Sequence, residues 1–177
     1  MHNVSIKIDF DFDDEYVSLL ESAGKFEYTI VDEGKHDLNS VRELLEKAQE
    51  TKIFNCRERL GFLKIYDGEE LVGLSMPRVI DPREYTVWKL EGGKVYHRMG
   101  MIYLKEEARG KGIGKIAAKL FQEQYPNLLW VIDPRNIPSK RVAASVGLTM
   151  NGMLYTLGSR WKHTPWIHDA KLEIWSN

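Results

Sequence analysis

The decisive stretch of this sequence runs MIYLKEEARGKGIGK from Met101 to Lys115. Its apolar start predicts the end of a β-strand, its charged centre a short turn, and its glycines the opening of a helix. Because glycine has no Cβ atom, the backbone there can approach a ligand closely and adopt positive φ. The free N–H groups of the first helical turn, together with the helix dipole, form an anion site. Arg109, Lys111 and Lys115 add positive charge, so the stretch predicts a site for a diphosphate.

Two common diphosphate motifs do not fit this stretch. A Walker loop requires four residues before its Gly-Lys-Ser/Thr, whereas three residues separate Gly110 from Gly114 and Ile116 replaces the required hydroxyl. The dinucleotide-binding fingerprint would need a third glycine where Lys115 stands. The pattern that fits is Gln/Arg-x-x-Gly-x-Gly/Ala, with Arg109, Gly112 and Gly114 in the specified places.

The rest of the chain predicts a mixture of strands and helices around this loop. Alternating apolar residues predict strands at Val4–Phe10, Phe26–Val31 and Val95–Leu104, and a hairpin through Phe62–Tyr66, Asp67-Gly68 and Leu71–Leu74. A continuous apolar run predicts a buried strand at Leu128–Ile132, and closing strands are expected at Leu154–Leu157 and Ala170–Trp175. Four helices are predicted. The first follows the acidic cluster Asp11–Glu15 and ends at Gly24, and the second begins at Asp37 or Asn39 and ends at Gln49. The third has apolar residues at helical spacing, at Ile113, Ile116, Ala117, Leu120 and Phe121, and the fourth extends from Pro138 to Val146. Residues 81–93 are rich in turn signals, with a second hairpin around Val87-Trp88. The order of elements predicts one mixed α/β domain over residues 1–177, built on a single-layer sheet.

The composition narrows the class of protein. No apolar run reaches the length of a membrane-spanning helix, about 18 residues or more, and the N-terminus lacks a secretory signal. Cys56 is the single cysteine, which favours a reducing compartment, so we expect a soluble, cytoplasmic protein. His163, His168 and Asp169 are too sparse for a metal site, so no metal is expected.

Charge is divided unequally between the two halves of the chain. Residues 1–92 carry 12 Lys and Arg against 20 Asp and Glu, a formal charge of −8, and residues 93–177 carry 13 against 6, a charge of +7. The basic half suits a phosphate-rich ligand, and the acidic half either attracts a cationic substrate or is simply a solvated face. The basic residues concentrate at the glycine loop rather than in an aromatic-interleaved stripe, so a nucleic-acid partner is not expected.

A second segment sharpens the interpretation of the loop. The run from Asn136 to Leu148, NIPSKRVAASVGL, follows the loop after one strand, and it resembles the Asn-x-x-Ser-x-x-Val-Ala segment of GNAT acetyltransferases, in particular the RimJ/RimL-like subgroup. Trp166–Leu172 resembles that subgroup's closing strand. The resemblance covers about residues 95–175. It implies the GNAT fold, a mixed and mostly antiparallel sheet that is splayed at the acyl-CoA site and carries helices on both faces.

The resemblance also implies where acetyl-CoA, the acyl donor, would bind. Its pantetheine arm would pair with the backbone of Ile102, Tyr103 and Leu104, and a backbone N–H near Ile102 would polarise the thioester carbonyl. Its pyrophosphate would rest on the loop, whose members are Arg109, Gly110, Lys111, Gly112, Ile113, Gly114 and Lys115. Asn136 would contact the pantetheine arm.

The catalytic residues implied by the resemblance depart from the best-known pattern. Arg98 stands where many GNAT enzymes carry a glutamate base, and His97, its neighbour, is the remaining candidate base, although strand alternation turns it to the other face unless a bulge intervenes. Ala143 stands where many have a tyrosine acid, so Ser139 is the candidate proton donor to the leaving thiolate; Ser139 is also expected to cap the helix that follows it. Trp161 and Trp166 are candidates for the wall of the acceptor pocket, or else for a dimer surface or core cover.

The expected activity is transfer of an acyl group, most simply acetyl, from acyl-CoA to a primary amine such as a protein N-terminus. Two alternatives stay open: acetylation of a small amine such as a polyamine or an aminoglycoside, and a non-catalytic sensor that binds acyl-CoA. The partner is therefore an amine acceptor, and both a monomer and a homodimer are compatible with the sequence.

Overall fold

The computed structural model describes residues 2–9, 13–22, 61–80, 95–155 and 171–177. The elements, in chain order, are β1 (Val4–Asp9), α1 (Asp14–Ser22), β2 (Phe62–Asp67), β3 (Glu70–Ile80), β4 (Tyr96–Leu104), a short 3₁₀ turn (Glu106–Ala108), α2 (Ile113–Gln124), β5 (Leu129–Ile132), α3 (Ile137–Ser145), β6 (Thr149–Tyr155) and β7 (Lys171–Ser176). Four predicted features lie outside the described residues: the strand at Phe26–Val31, the helix ending at Gln49, the hairpin around Val87-Trp88, and Gly24. The order of elements predicted for the described ranges is confirmed.

The first four strands form an antiparallel sheet in the order β1-β2-β3-β4. The predicted hairpin joins β2 to β3, and Asp67 pairs with Glu70 across a turn in which Gly68 has a φ of 62°. That left-handed conformation is one that glycine adopts readily, which explains the Asp67-Gly68 signal.

Helices cover both faces of this sheet, as predicted. Phe62 and Leu63 are neighbours on β2 and belong to different buried clusters, because successive strand residues point to opposite faces. On one face α1 contributes Tyr16, Val17 and Leu19 to a cluster with Phe62, Leu71, Leu74 and Met76. On the other face α2 contributes Ile113, Ala117, Ala118 and Phe121 to a cluster with Leu63, Ile65 and Met99.

One residue of the predicted apolar face of α2 is not buried. Ile116 is 41% exposed, whereas Ile113, Ala117 and Phe121 are buried. The helix predicted from this spacing is confirmed, and Ile116 lies at the exposed margin of its apolar face.

The remaining strands form a second sheet in the order β5-β7-β6, in which β7 pairs antiparallel with both neighbours. The continuous apolar run of β5 is largely buried, as expected. The strand predicted at Leu154–Leu157 begins earlier, at Thr149, because α3 ends at Ser145 and Gly147, with a φ of 82°, turns the chain at once into β6. The single-layer sheet expected from the sequence is thus two sheets.

The two sheets meet at one isolated parallel bridge between His97 of β4 and Leu128, just before β5. The His97 N–H donates to the carbonyl oxygen of Asn127 at 2.8 Å. Beyond this bridge, the described parts of β4 and β5 share no further backbone pairing. The strands therefore start together and separate, which is the predicted splay.

Candidate active site

The glycine loop joins the end of β4 to the start of α2. Gly110 and Gly112 have φ values of 73° and 80°, and a Cβ atom at either position would meet nothing within 4 Å. Backbone conformation, rather than crowding, therefore demands glycine at both positions. At Gly114 a Cβ would make ordinary van der Waals contacts with Leu104 at 3.6 Å and Val142 at 3.7 Å, so neither crowding nor a positive φ requires glycine at this position.

The loop presents unused backbone donors. Gly112 is the N-cap of α2 and supplies no side-chain cap, and the N–H groups of residues 110–115 donate no hydrogen bond to any described residue. Lys111 and Lys115 are exposed and form no ion pair with another described residue. Free N–H groups at the positive end of a helix of 12 residues, flanked by two lysines, make an anion site.

Arg109 has a different position from the two lysines. Its Nε donates to the carbonyl oxygen of Leu104 at 2.9 Å, and its guanidinium lies 5.3 Å from the centroid of the Tyr103 ring. Arg109 therefore fixes the end of β4 relative to the loop through one of its five N–H donors. Its contact with a phosphate, like that of Lys111 and Lys115, stays a prediction.

Strand β4 carries a β-bulge where the splay opens. Leu74 pairs with Tyr103 and Met76 pairs with Gly100, so Ser75 of β3 faces two residues of β4, Met101 and Ile102. The Ser75 hydroxyl is fully buried and donates to the Gly100 carbonyl oxygen at 2.8 Å. A bulge re-aims the backbone groups of the bulged strand, and it lies where the resemblance expects a thioester carbonyl to be polarised.

Asn136 and Ser139 lie together at the start of α3. Asn136 is the N-cap, and its side-chain oxygen accepts from the Ser139 N–H at 3.2 Å. The expectation that Ser139 itself caps the helix is wrong, because Ser139 lies inside the first turn. Its hydroxyl makes no hydrogen bond to any residue that the structure describes and is only partly exposed.

An ion pair that the sequence did not reveal ties α3 to β7. Lys140 Nζ lies 3.2 Å from Glu173 Oε2 and also donates to the Pro134 carbonyl oxygen. Glu173 is largely buried and accepts a further hydrogen bond from Trp175 Nε1 at 3.3 Å. The residues are more than thirty positions apart in the sequence, so no local pattern pointed to this contact.

His97 packs beneath α2. Its ring centroid lies 4.6 Å from that of Tyr125, which in turn contacts Phe121. Burial lowers the pKa of His97 below its usual value, although the backbone contact with Asn127 opposes the shift. His97 is therefore neutral at pH 7, and its role as a base stays a prediction.

A groove of about 400 Å³ lies between α1 and the end of β4. Glu15 of α1 and Glu106 and Glu107 of the 3₁₀ turn contribute carboxylates to it, and Tyr103 and Lys105 complete the β4 side. The groove is on the face of α1, opposite to α2.

Several predicted features fall beyond the described residues, namely Cys56, Trp161, His163, Trp166, His168 and Asp169. Within the part that is described, no group of three or more His, Cys, Asp or Glu residues could hold a metal ion. Nor do the described helices include one that is long and apolar enough to cross a membrane.

Comparisons with known proteins identify the family. A search of curated proteins finds no significant match, but the model of the "Acetyltransferase (GNAT) family" matches residues 28–148. Among solved structures, the chain is similar to RimL, a ribosomal L7/L12 alpha-N-protein acetyltransferase in complex with coenzyme A, with a TM-score of 0.62, 13% identity, and coverage of 98% of this chain and 93% of that one.

Two further structures are similar over nearly the whole chain. NAA60 of Arabidopsis thaliana, in complex with a bisubstrate analogue, has a TM-score of 0.62 at 10% identity and covers 99% of this chain and 97% of its own. The putative acetyltransferase yncA of Salmonella typhimurium, with acetyl-CoA, has a TM-score of 0.53 at 14% identity and covers 98% and 92%. At such low identity these structures show the shared fold, and the family model covers more than half of the sequence. The chain belongs to the GNAT acetyltransferase family.

Proposed function

We propose that this enzyme transfers an acetyl group from acetyl-CoA to the α-amine of a peptide or protein N-terminus. The main support for the proposal is the set of backbone N–H groups of residues 110–115, which are not bonded to any described residue. They follow strand β4, which contains a bulge and is no longer paired with β5 at that end. Membership of the acetyltransferase family supports the donor, and the likeness to RimL, an alpha-N-protein acetyltransferase, supports the acceptor.

The loop and β4 are suited to hold the donor. The N–H groups of residues 110–115 and the ammonium groups of Lys111 and Lys115 would bind the pyrophosphate. The open edge of β4 at Ile102, Tyr103 and Leu104 would pair with the pantetheine arm as an added strand does. The bulge at Met101 and Ile102 would direct a backbone N–H at the thioester carbonyl oxygen, where negative charge develops.

Acetyl transfer then requires three proton movements. The amine nitrogen forms a bond to the thioester carbon, the carbon–sulfur bond breaks, and the departing thiolate takes the proton of the Ser139 hydroxyl. The surplus proton on the amide nitrogen leaves to water, and Ser139 regains its proton from solvent. The free hydroxyl of Ser139 favours this role, since the helix cap uses Asn136 instead. Asn136, which holds the first turn of α3 in place, would keep that hydroxyl near the arm.

The acidic groove favours a second acceptor class, a small polyamine. Glu15, Glu106 and Glu107 line a space of about 400 Å³ together with Lys105, so its formal charge is −2, which suits a compact cation. A third hypothesis is that the protein binds acyl-CoA as a non-catalytic sensor. Arg98 and Ala143 stand where many GNAT enzymes have the glutamate and the tyrosine that transfer protons.

A product assay separates these functions. The purified chain is incubated with acetyl-CoA and a panel of peptides with different N-termini, polyamines and aminoglycosides, and acetylated products are detected by mass spectrometry. We expect N-terminally acetylated peptides. Acetylated polyamines alone would move the assignment to small amines, and binding of acetyl-CoA without any product would favour the sensor.

A further inference from the structure

Two buried side-chain nitrogens, His97 Nδ1 and Trp130 Nε1, have no hydrogen-bond partner among the described residues, and of these only the Trp130 N–H must act as a donor. Trp130 of β5 is only 3% exposed, and its indole Nε1 makes no hydrogen bond to any described residue. Buried tryptophan N–H groups usually find an acceptor, because leaving one unpaired in an apolar core costs free energy. This donor is therefore a candidate for a contact with a ligand.

A neighbouring tryptophan shows that the same sheet can satisfy such a group. Trp175 of β7 is the cross-strand partner of Trp130, and its Nε1 donates to Glu173 Oε1 at 3.3 Å. Within the described ranges the two indoles thus differ: the Trp175 N–H has a protein acceptor, and the Trp130 N–H has none.

The position of Trp130 in the sheet indicates where a ligand would have to place an acceptor for this N–H group. Leu128 forms the bridge with His97, and Trp130 follows two residues later, where β4 and β5 are no longer paired. Counting two residues along the parallel strands places Trp130 level with Met99, just before the bulge at Met101 and Ile102. Trp130 shares a buried cluster with Met99, and also with Ala143 of α3.

We infer that the Trp130 indole N–H donates a hydrogen bond to a carbonyl oxygen of the acyl-pantetheine arm of acetyl-CoA. The inference rests on the proposed function. The arm carries amide and thioester carbonyls along its length, and Trp130 lies on β5 two residues beyond the bridge, where β4 and β5 are no longer paired. None of the described residues supplies an acceptor for this donor, and binding of the arm would supply one.

The test uses two tryptophan-to-phenylalanine variants of the full chain. Trp130→Phe removes the unpaired N–H, and Trp175→Phe removes the satisfied N–H beside it. Dissociation constants for acetyl-CoA and for CoA are measured by calorimetry, and thermal unfolding is measured without ligand. We expect Trp130→Phe to weaken binding of acetyl-CoA roughly three- to tenfold. Trp175→Phe should bind as the wild type does and lose stability without ligand, because Glu173 loses a donor.

Comparing acetyl-CoA with CoA distinguishes the thioester carbonyl from the amide carbonyls of the arm. Weaker binding of acetyl-CoA alone assigns the thioester carbonyl, and equal weakening with CoA assigns an amide of the arm. Equal affinity of Trp130→Phe and the wild type for both ligands would overturn the inference while leaving the proposed function intact. Failure of the wild type to bind acetyl-CoA would overturn both.

A second measurement needs no substitution, in case Trp130→Phe does not fold. The chain contains five tryptophans, whose indole N–H resonances are resolved by ¹⁵N-labelling and assigned through their contacts with neighbouring protons. Addition of acetyl-CoA, which carries all of the candidate carbonyls, should move the Trp130 indole proton downfield, as a new hydrogen bond does, and leave the Trp175 proton in place. An unmoved Trp130 resonance at saturating acetyl-CoA would rule the contact out.

Discussion

The Ser75 hydroxyl donates a 2.8 Å hydrogen bond to the Gly100 carbonyl oxygen, inside the sheet and at the edge of the β4 bulge. Ser75 is a polar residue in an otherwise largely apolar strand, and it is fully buried. Its hydroxyl therefore fixes the backbone of β4 next to the place where the strand turns its groups toward the splay.

Replacing Ser75 by alanine should lower kcat by roughly ten- to a hundredfold, because a bulge that shifts by a fraction of an ångström misplaces the N–H that faces the thioester. It should also destabilise the fold by about 1–3 kcal/mol, since the Gly100 carbonyl loses its buried donor. Steady-state kinetics and thermal unfolding give both values. Ser75→Thr, which keeps the hydroxyl, should recover most of kcat. A variant that loses stability but keeps kcat would show that Ser75 has no influence on the bulge.

Replacing Gly112 by glutamate should abolish the thermal stabilisation by acetyl-CoA. The substitution strains a backbone with a φ of 80° and brings a negative charge to the phosphate site. In the wild type, a ligand at about 100 times its Kd stabilises the native state by roughly 2.7 kcal/mol.

Gly147→Glu is a matched control for the loop substitution. Gly147 has a φ of 82° and open space around its Cβ position, but it lies at the end of α3 instead of in the loop. Both variants should lose similar stability without ligand, and only Gly112→Glu should lose the acetyl-CoA shift. A normal shift in Gly112→Glu would remove the loop from the donor site.

Replacing Ser139 by alanine should lower kcat by roughly 10²- to 10⁴-fold while the KM for acetyl-CoA stays close to the wild-type value. The Ser139 hydroxyl makes no hydrogen bond to a described residue, so we expect the melting temperature not to fall. Ser145→Ala on the same helix, whose hydroxyl bonds to the Val142 carbonyl oxygen, should keep full activity. Unchanged kcat in Ser139→Ala would transfer the role of proton donor to another group or to water.

Replacing His97 by phenylalanine tests whether this residue is the base. Phenylalanine can retain the ring contact with Tyr125, so we expect kcat within about threefold of the wild type, whereas loss of a general base costs roughly 10²-fold or more. The two outcomes are separated by kinetics at neutral pH.

His97 also predicts a pH dependence of stability. Its pKa in the folded chain is lowered by burial, so the unfolded chain binds the proton more readily. Keeping His97 neutral therefore contributes to the free energy of unfolding of the wild type. That contribution is complete above the ordinary histidine pKa and is lost as the pH falls toward the lowered pKa of the folded chain. Unfolding experiments from pH 8 to about 5 should show a smaller loss for His97→Phe than for the wild type. Identical slopes would mean that His97 is not buried as described.

The sequence predicted most of the described fold because its strongest signals are local. The alternation in β1, the Asp67-Gly68 turn, and the apolar run of β5 each report a conformation that neighbouring residues determine. The glycine loop was predicted for a similar reason: Gly110 and Gly112 need positive φ, and few other residues tolerate it.

The contacts that the sequence did not predict join residues far apart along the chain. Lys64 of β2 is buried, with its Nζ 2.9 Å from Asp13 and 3.6 Å from Asp9, yet its place in an alternating strand pattern gave no sign of that ion pair. The same is true of Ser75 with Gly100 and of Lys140 with Glu173. Such pairs depend on which strands become neighbours, and a single sequence does not state that.

The single bridge between His97 and Leu128 has a consequence for cooperativity of unfolding. Each sheet has extensive backbone hydrogen bonding of its own. In the described part of the chain, this one bridge is the only backbone pairing between the two sheets. If the pantetheine arm of acetyl-CoA pairs with β4 as proposed, it would add main-chain hydrogen bonds in the gap beside that strand. The bound donor would then act as a structural element of the fold, and we expect the two sheets to unfold more cooperatively with it than without it.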